Sequence, residues 1–405
     1  MDFQEYDEIF NRNNYPKFIK KNGSYIPVDD GQCICLSGKK YKDCCKKEVD
    51  IALNTENKQS DIDELHKLYF DIKKKLLSYK VVNKSINKKN ISYCSAKEVF
   101  GDCNDCEKVK SHTLSCGNVL TNLAGIGNGS VIAFNDYKVP ELSKIKNEID
   151  SYYEEVYLDK ASTTVSFCKT HDRELFSDIE TDGHTEYRNS PIQNLEYALK
   201  AITFDIYYKI ENIRYFSMLV QKTKRVLSSY NGEKSRLLKD YYNNIDQLFK
   251  LYPIMIRILK EIKDFKQKKT IPKLKTVCFN LPMQKVNISC SEVIPEDTYY
   301  FINIINSPKP YMIFSYYDEE NDNWIVNTKQ KFDKCDNKIG YLHDFFLNFI
   351  ITNAQNIYIN KDVFNKLNDE EKIYLYKIHR IGTVCIPYNQ IKFNQDNICK
   401  FLFRV

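Results

Sequence analysis

The chain has 405 residues, a formal net charge of +6 and a hydrophobic content of 42 %. About two to four domains are expected at this length, and the apolar content allows a substantial packed core. The mild positive charge permits contact with nucleic acid without requiring it, since dedicated binders carry a clearer basic stripe. No stretch approaches the ~20 apolar residues of a membrane span, and the acidic N-terminus lacks the features of a signal peptide. We therefore expect a cytoplasmic protein without a membrane segment, of undetermined oligomeric state.

Two segments near the N-terminus are read first as an irregular lead-in and a helix. Residues 1–30 show no clear pattern and are interpreted as loosely structured. Ser60 and Asp63 have the spacing of a capping box, and the apolar residues that follow them have helical spacing. The sequence therefore predicts a helix over about 60–80, followed by a polar, basic linker at 84–90.

Four cysteines occur in the segment Cys33-Ile34-Cys35-Leu36-Ser37-Gly38-Lys39-Lys40-Tyr41-Lys42-Asp43-Cys44-Cys45. Two close cysteine pairs parted by a short basic segment can place four thiolates around one Zn²⁺, as a tetrahedral structural site requires. The segment resembles the SEC-C motif, a zinc-binding module best known in the preprotein translocase motor protein. That motif reads C-x-C-x-S-G, then K-K-Y, then C followed by C or H, with glycine usual where this chain has Leu36. The resemblance implies an accessory recruitment surface with the ligands Cys33, Cys35, Cys44 and Cys45.

A second group of metal-ligating residues lies between residues 94 and 180. Cys103-x-x-Cys106 offers two thiolates on a turn, and Cys168-x-x-His171 offers two ligands on one face of a helix start. This is the ligand plan of a treble-clef zinc site. Cys94 is the rival for one thiolate position, and Cys116 is a spare. The sequence thus predicts a second structural Zn²⁺.

The same segment resembles the HNH endonucleases, which are built on a ββα-metal core. The resemblance rests on His112 after the cysteine turn and on the helix start Cys168-Lys169-Thr170-His171-Asp172-Arg173-Glu174-Leu175-Phe176. It implies that His112 is the general base and that Asp172 occupies a metal-binding position, with Mg²⁺ or Mn²⁺ as the catalytic ion. The chain departs from the family pattern at Ser111, which replaces an acidic residue, and at 162–164, where an asparagine is expected. Asp178, Glu180, Asp182 and His184 could supply a replacement ligand.

Downstream, periodicity predicts a helical hairpin and then a mixed α/β region. Ser190-Pro191 begins the first helix, and the second runs from about Lys234 to Tyr252, where Pro253 bends or ends it. The glycines of 125–129 lack phosphate-loop spacing and predict a turn between two strands. Further strands are predicted at Val286/Ile288, Tyr299–Ile305 and Tyr311–Tyr317, and further helices at Tyr341–Ala354 and Lys361–His379.

The predicted fold class is an α+β multidomain protein. Its parts are an SEC-C-like zinc module (31–47), a helical linker (48–90), a treble-clef, HNH-like zinc domain (91–185), a helical hairpin (186–268) and a C-terminal mixed α/β domain (275–405).

Three functions remain open at this point. The first is a cytoplasmic bacterial endonuclease that acts on nucleic acid, and by analogy in defence against foreign DNA. The second is a non-catalytic adaptor that docks the ribosome or a translocation chaperone through the basic surface Lys39-Lys40-Tyr41-Lys42. The third is a hydrolase with Cys116 as nucleophile and His112 as base, for which no third orienting group is evident.

Overall fold

A computed structural model describes most of the chain outside several terminal and loop segments. The described residues are 9–21, 23–54, 64, 67–68, 94–101, 109–125, 127–135, 147–180, 186–223, 235–282, 285–295, 298–306, 309–317 and 324–381. Almost all of the helix predicted for 60–80 and all of the linker at 84–90 lie outside them.

The described residues form helices and antiparallel strands, which confirms the α+β class. The strands are β1 (Phe18–Lys21), β2 (Ser24–Pro27), β3 (Ser111–His112), β4 (Ser130–Phe134), β5 (Tyr153–Tyr157), β6 (Thr163–Thr164), β7 (Lys275–Asn280), β8 (Ile288–Pro295), β9 (Tyr299–Asn306), β10 (Pro310–Tyr316) and β11 (Ile357–Ile359). The α-helices are α1 (Lys46–Asn54), α2 (Lys97–Phe100), α3 (Thr121–Ala124), α4 (Lys169–Leu175), α5 (Ser177–Glu180), α6 (Pro191–Thr223), α7 (Arg236–Lys268), α8 (Trp324–Lys334), α9 (Lys338–Phe345), α10 (Lys361–Phe364) and α11 (Asp369–Ile381).

The chain divides into two compact units that are each discontinuous in sequence. The first comprises Met1–Val109, Val165–Lys169 and Ile206–Ile256. The second comprises Lys110–Thr164, Thr170–Asp205 and Arg257–Val405. The helices α6 and α7 each contribute residues to both units.

In the first unit, residues 18–27 form a hairpin that the sequence did not suggest. Strands β1 and β2 pair antiparallel, with Phe18 opposite Pro27. The ring of Tyr25 stacks on Tyr242 of α7 at 4.3 Å, and Phe18 contacts Tyr241 edge to face. For residues 18–27 the loosely structured lead-in was therefore a wrong interpretation, because the aromatic residues of this hairpin have partners more than 200 residues away that the sequence alone does not reveal. Residues 1–8 lie outside the described part of the chain.

The second unit is built on a seven-stranded sheet in the order β5-β4-β11-β8-β9-β10-β7, in which all neighbouring strands are antiparallel. The central strands β8 and β9 are buried along nearly their whole length. Helices α8, α9 and α11 place Ile325, Leu342 and Leu375 in the same apolar core as the sheet. The sheet thus unites β4 and β5, which precede the long helices, with strands that follow them.

Several predicted boundaries in the helical regions were wrong. Helix α7 continues through Pro253 to Lys268, because Leu251, Met255 and Leu259 are fully buried around the proline. This packing outweighs the lost hydrogen bond and the steric conflict, a cost of about 3 kcal/mol. The glycine segment joins α3 to β4 rather than two strands, and Gly125 ends the helix at φ +87°.

The last predicted helix, Lys361–His379, is divided into α10 and α11. Each part has its own N-terminal cap: the Asn360 side chain accepts from the Val363 amide, and the Asn368 side chain accepts from the Glu371 amide. Asparagine competes with the helical backbone for hydrogen bonds, which is why a second cap interrupts the run.

Candidate metal and active site

The four cysteines of the N-terminal segment come together in the first unit. Cys33 and Cys35 follow β2, Cys44 ends a 3-10 turn at Tyr41–Asp43, and Cys45 directly precedes α1. The four sulfur atoms lie within 4.8 Å of one another, and all but Cys44 are buried. We call this cluster the thiol centre.

The thiol centre has the dimensions of a tetrahedral metal site. The Sγ–Sγ distances are 3.5 Å from Cys35 to Cys33, 3.5 Å from Cys35 to Cys44 and 3.8 Å from Cys44 to Cys45. Four sulfurs at the usual Zn–S distance of about 2.3 Å would be about 3.8 Å apart. The cluster can therefore hold a metal ion without rearrangement.

The charge state of the four thiols depends on whether a cation is bound. Hydrogen bonds from Cys33 and then Cys45 lower the pKa of Cys35, whereas the bond to Cys35 raises the pKa of Cys33 to about 11. Without a bound cation, the four thiols therefore do not all ionise together at neutral pH. A bound cation reverses this balance, because it stabilises every thiolate that it contacts.

The backbone beside the thiol centre is left-handed at two positions, one of which carries a leucine. Leu36 adopts a left-handed conformation with φ +54°, and Gly38 has φ +81°. Glycine adopts such angles without steric cost, whereas a residue with a Cβ does not. Leu36 is only 2 % exposed, so burial of its side chain offsets part of the backbone strain.

The basic segment beside the thiol centre is less available than its sequence suggested. Tyr41 is buried, so it does not belong to a docking surface. Lys42 and Lys40 approach the Asp30 carboxylate at 2.8 Å and 3.3 Å. Within the described residues, Asp30 therefore compensates one of the three positive charges that Lys39, Lys40 and Lys42 bring to this segment.

A second group of candidate ligands contains Cys94, Cys168 and His171. Their ligand atoms lie within 4.8 Å of one another, and all three residues are buried. The amide of Cys168 donates to Cys94 Sγ at 3.4 Å, and the amide of Ser95 donates to Ser166 O at 2.8 Å. Cys94 therefore lies beside the predicted ligands Cys168 and His171. The other predicted ligands, Cys103 and Cys106, lie outside the described residues.

His112 is the last residue of β3, and the strand pairs antiparallel with β6, where Thr163 is opposite His112. The imidazole Nδ1 lies 2.9 Å from Ala161 O. Because a carbonyl oxygen can only accept, Nδ1 carries the proton and Nε2 of the neutral ring keeps its lone pair. Burial lowers the pKa of His112, and the charges of Lys110 and Lys200 act in the same direction. The ring is therefore neutral at pH 7, as a general base must be.

A buried lysine fixes the strand that carries His112. Lys200 of α6 donates to His112 O at 2.7 Å and to Ser111 Oγ at 3.3 Å. Its ammonium pairs with Glu180 at 2.8 Å and lies over the Phe176 ring. Lys200 was not among the predicted site residues. Its position inside the apolar run of Leu195, Ala198, Leu199 and Ile202 is the sequence signal that marks it.

Asp172 lies in the first turn of α4, as predicted. Its Oδ1 is buried and has no hydrogen-bond partner within the part of the chain that the structure describes. A buried carboxylate oxygen without a donor is costly, and a cation is one group that would satisfy it. Among the described residues, however, no group of three ligand atoms that includes Asp172 lies within 4.8 Å.

The carboxylates considered as additional ligands are engaged elsewhere. Glu180 pairs with Lys200, and Asp178 lies 3.5 Å from Lys266. Asp182 and His184 lie outside the described residues. Within the described ranges, Asp172 is therefore the one carboxylate of α4 with a buried oxygen that has no hydrogen-bond partner.

Cys116 does not have the environment of a nucleophile. Its Sγ donates to Leu158 O at 3.6 Å, and burial raises its pKa. The thiolate is the reactive form, and a raised pKa makes it scarce at neutral pH. The third function considered above, a cysteine hydrolase, therefore gains no support from this geometry.

No family model, curated protein or solved structure matches the chain. Among the helices that the structure describes, none is both long and apolar enough to cross a bilayer.

Proposed function

We propose that this protein is a metal-dependent endonuclease with an HNH-like site formed by β3, β6 and α4, and that zinc-binding cysteine centres stabilise its fold. The observation that carries the proposal is the orientation of His112. Its Nδ1 is committed to Ala161 O, which leaves the lone pair of Nε2 as the proton acceptor of a neutral, half-buried ring. Structural histidines need only satisfied nitrogens, whereas a base needs one nitrogen kept unprotonated.

The proposed reaction is hydrolysis of a phosphodiester. His112 Nε2 removes a proton from water, the water oxygen forms a bond to phosphorus, and the bond from phosphorus to the leaving sugar oxygen breaks. Mg²⁺ or Mn²⁺ at Asp172 would stabilise charge on the phosphate and on the leaving oxygen. Asp172 would contribute its buried, unsatisfied oxygen as one ligand of that hard ion.

We assign Zn²⁺ to the thiol centre from its chemistry. Four thiolates select a soft or borderline ion, and a closed tetrahedron without an open position is typical of structural zinc. Cys94, Cys168 and His171 supply three ligands for a second Zn²⁺. These two ions are proposed to stabilise structure and to take no part in phosphodiester cleavage.

A second candidate function is a zinc-organised adaptor, which binds a protein partner or the ribosome and cleaves nothing. The observation that favours it is the engagement of Asp178 and Glu180 in ion pairs, which leaves Asp172 without a neighbouring ligand among the described residues. The docking surface would then be limited to exposed residues of the SEC-C-like segment such as Lys39, since Tyr41 is buried.

The test is cleavage of plasmid DNA and structured RNA by zinc-loaded protein in Mg²⁺ or Mn²⁺. His112→Ala and Asp172→Asn should each abolish cleavage, because a positioned general base contributes about 10²–10⁴-fold and the metal ligand several kcal/mol. Glu174→Gln is the matched control, since Glu174 is an exposed carboxylate of the same helix. Cys116→Ser should also retain activity.

Two results would contradict the endonuclease. One is the absence of cleavage with either ion at unchanged zinc content. The other is cleavage that survives His112→Ala. In both cases the adaptor becomes the better proposal, and binding of the intact protein to ribosomes would be measured next.

A further inference from the structure

Ser162, in the loop between β5 and β6, has an unusual backbone conformation for a residue with a side chain. Its φ is +56°, in the left-handed region that favours glycine, and the residue is only 1 % exposed. Strained conformations of this kind persist when the surrounding structure fixes them, and they concentrate at functional sites. Ser162 is adjacent to Ala161, whose carbonyl oxygen accepts the hydrogen bond from His112.

Each polar group of Ser162 has a partner. Its amide donates to the hydroxyl oxygen of Tyr358 at 2.6 Å, and its carbonyl oxygen accepts from the Thr113 amide at 2.7 Å. Its Oγ accepts from the Leu114 amide at 3.0 Å and hydrogen-bonds Thr113 Oγ1. These bonds hold the left-handed conformation in place and tie it to the residues that directly follow His112.

Tyr358 and His112 both form hydrogen bonds with the same peptide group. The carbonyl of Ala161 and the amide of Ser162 belong to one planar unit, in which C=O and N–H point in opposite directions. His112 Nδ1 donates to one end of this group, and Tyr358 receives a hydrogen bond from the other end. The peptide cannot rotate without losing both bonds, so the position of Tyr358 determines where the acceptor for His112 lies.

The strand that carries Tyr358 is itself firmly held. Tyr358 lies in β11, between β4 and β8 of the sheet, opposite Ala133 and Ser289. Asn356 lies two residues before Tyr358, and its side-chain amide donates to Thr113 Oγ1 at 2.9 Å and to Ser291 O at 2.7 Å. Strand β11 and the residue before it therefore hydrogen-bond to Ser162 and Thr113, which lie directly next to β6 and β3.

We propose that Tyr358 is a positioning residue for His112, which fixes the tautomer and orientation of the imidazole through the Ala161–Ser162 peptide group. A hydrogen bond accepted by Tyr358 also polarises that peptide, which strengthens Ala161 O as the acceptor of the Nδ1 proton. The catalytic part of this inference rests on the proposed endonuclease function. The structural part, the state of the His112 ring, can be measured without any activity.

The experiment compares Tyr358→Phe with Tyr153→Phe in the full-length zinc-loaded protein. Each change removes one hydroxyl from the same sheet. Tyr153 lies on the outer strand β5, and its hydroxyl donates to Lys372 O at 2.6 Å. The ring nitrogens of His112 are observed by ¹⁵N NMR, which distinguishes the two neutral tautomers. We expect a shift of the His112 signals toward mixed tautomers in Tyr358→Phe and unchanged signals in Tyr153→Phe.

In the cleavage assay, Tyr358→Phe should lower kcat about tenfold with KM unchanged, a fraction of the about 10²–10⁴-fold that a general base contributes. If the wild type cleaves nothing while the NMR result holds, the endonuclease fails and the positioning role of Tyr358 stands. Unchanged His112 signals in a folded Tyr358→Phe variant would overturn the proposal.

A wild-type measurement covers the case in which Tyr358→Phe does not fold. The Ser162 amide should exchange with deuterium as slowly as the paired amides of β11, because it is buried and bonded to Tyr358. Exchange as rapid as that of an exposed loop amide would show that this bond is not maintained, and the proposal would be withdrawn.

Discussion

The thiol centre and the His112 site are both small polar clusters, but they are assembled in opposite ways. The four thiols come from one short segment, 33–45, and their polar atoms face one another. His112 is instead oriented by bonds from distant parts of the chain: Lys200 holds its carbonyl, and Tyr358 holds the peptide that its ring contacts.

This difference shows which component each cluster depends on. The metal ion that we propose for the thiol centre would be part of the fold there, because binding of a structural ion is coupled to folding. The orientation of the His112 ring needs no ion, because hydrogen bonds within the second unit fix it. Removing metal should therefore affect the first cluster, and mutation of the distant partners should affect the second.

Metal removal is expected to have the largest effect. A chelator, or Cys33→Ser, should unfold residues 24–54, since structural zinc contributes about 10–16 kcal/mol of apparent binding energy in zinc-finger peptides. Hydrogen exchange should rise there while the central strands β8 and β9 remain protected. Cys335→Ser, at a cysteine outside both clusters, is the matched control and should leave zinc content and exchange unchanged. Unaltered protection of 24–54 in metal-free protein would show that the thiol centre is not a metal site.

Loss of the Lys200 ammonium is expected to have the next largest effect. The lysine side chain is 2 % exposed and its partner Glu180 is 28 % exposed. Breaking a buried ion pair by removing one partner costs about 3–5 kcal/mol, because a charge is left behind. We expect Lys200→Met to lower the free energy of unfolding by an amount at or below the lower end of that range, because Glu180 retains some contact with water. The measurement is the free energy of unfolding in urea.

Lys268→Met provides the comparison for that value. Lys268 also forms an ion pair, with Asp264 at 3.1 Å, but it is 68 % exposed. Exposed pairs of this kind contribute about 0.2–1 kcal/mol. Equal destabilisation by the two substitutions would mean that Lys200 does not serve as a buried anchor for β3.

The sequence was informative where structure is determined locally. The cysteine spacing identified the members of the thiol centre because all four are within 13 residues. The start of α6 was predicted correctly, since Ser190 Oγ caps the helix by accepting from the Gln193 amide at 3.3 Å. In each case the interacting residues are neighbours in the chain.

The sequence was uninformative where distant residues decide the result. Ser162 and Tyr358 are 196 positions apart, and no periodicity relates them. Pro253 indicated a helix end, yet burial of its neighbours carried α7 onward. The glycines of 125–129 signalled a turn correctly but not the elements that it joins, because α3 is a single short turn of helix.

The smallest of the expected effects is the pH dependence that His112 gives to stability and activity. Burial lowers the pKa of His112 below its ordinary value of about 6.5, so below that pH the unfolded chain binds more protons than the folded protein at this residue. The stability that the neutral ring contributes is complete above about pH 6.5 and is lost as the pH falls toward the folded-state pKa. The free energy of unfolding of the wild type should therefore decrease relative to His112→Gln when the pH is lowered from 7.5 to 5.

Activity should follow the same ionisation. The value of kcat/KM should be constant around pH 7 and decline only below about 6.5, because protonation of Nε2 removes the base. A parallel pH dependence of stability in the wild type and His112→Gln would show that the ring is not held neutral in the folded protein, and the hydrogen bond to Ala161 would then lose its catalytic interpretation.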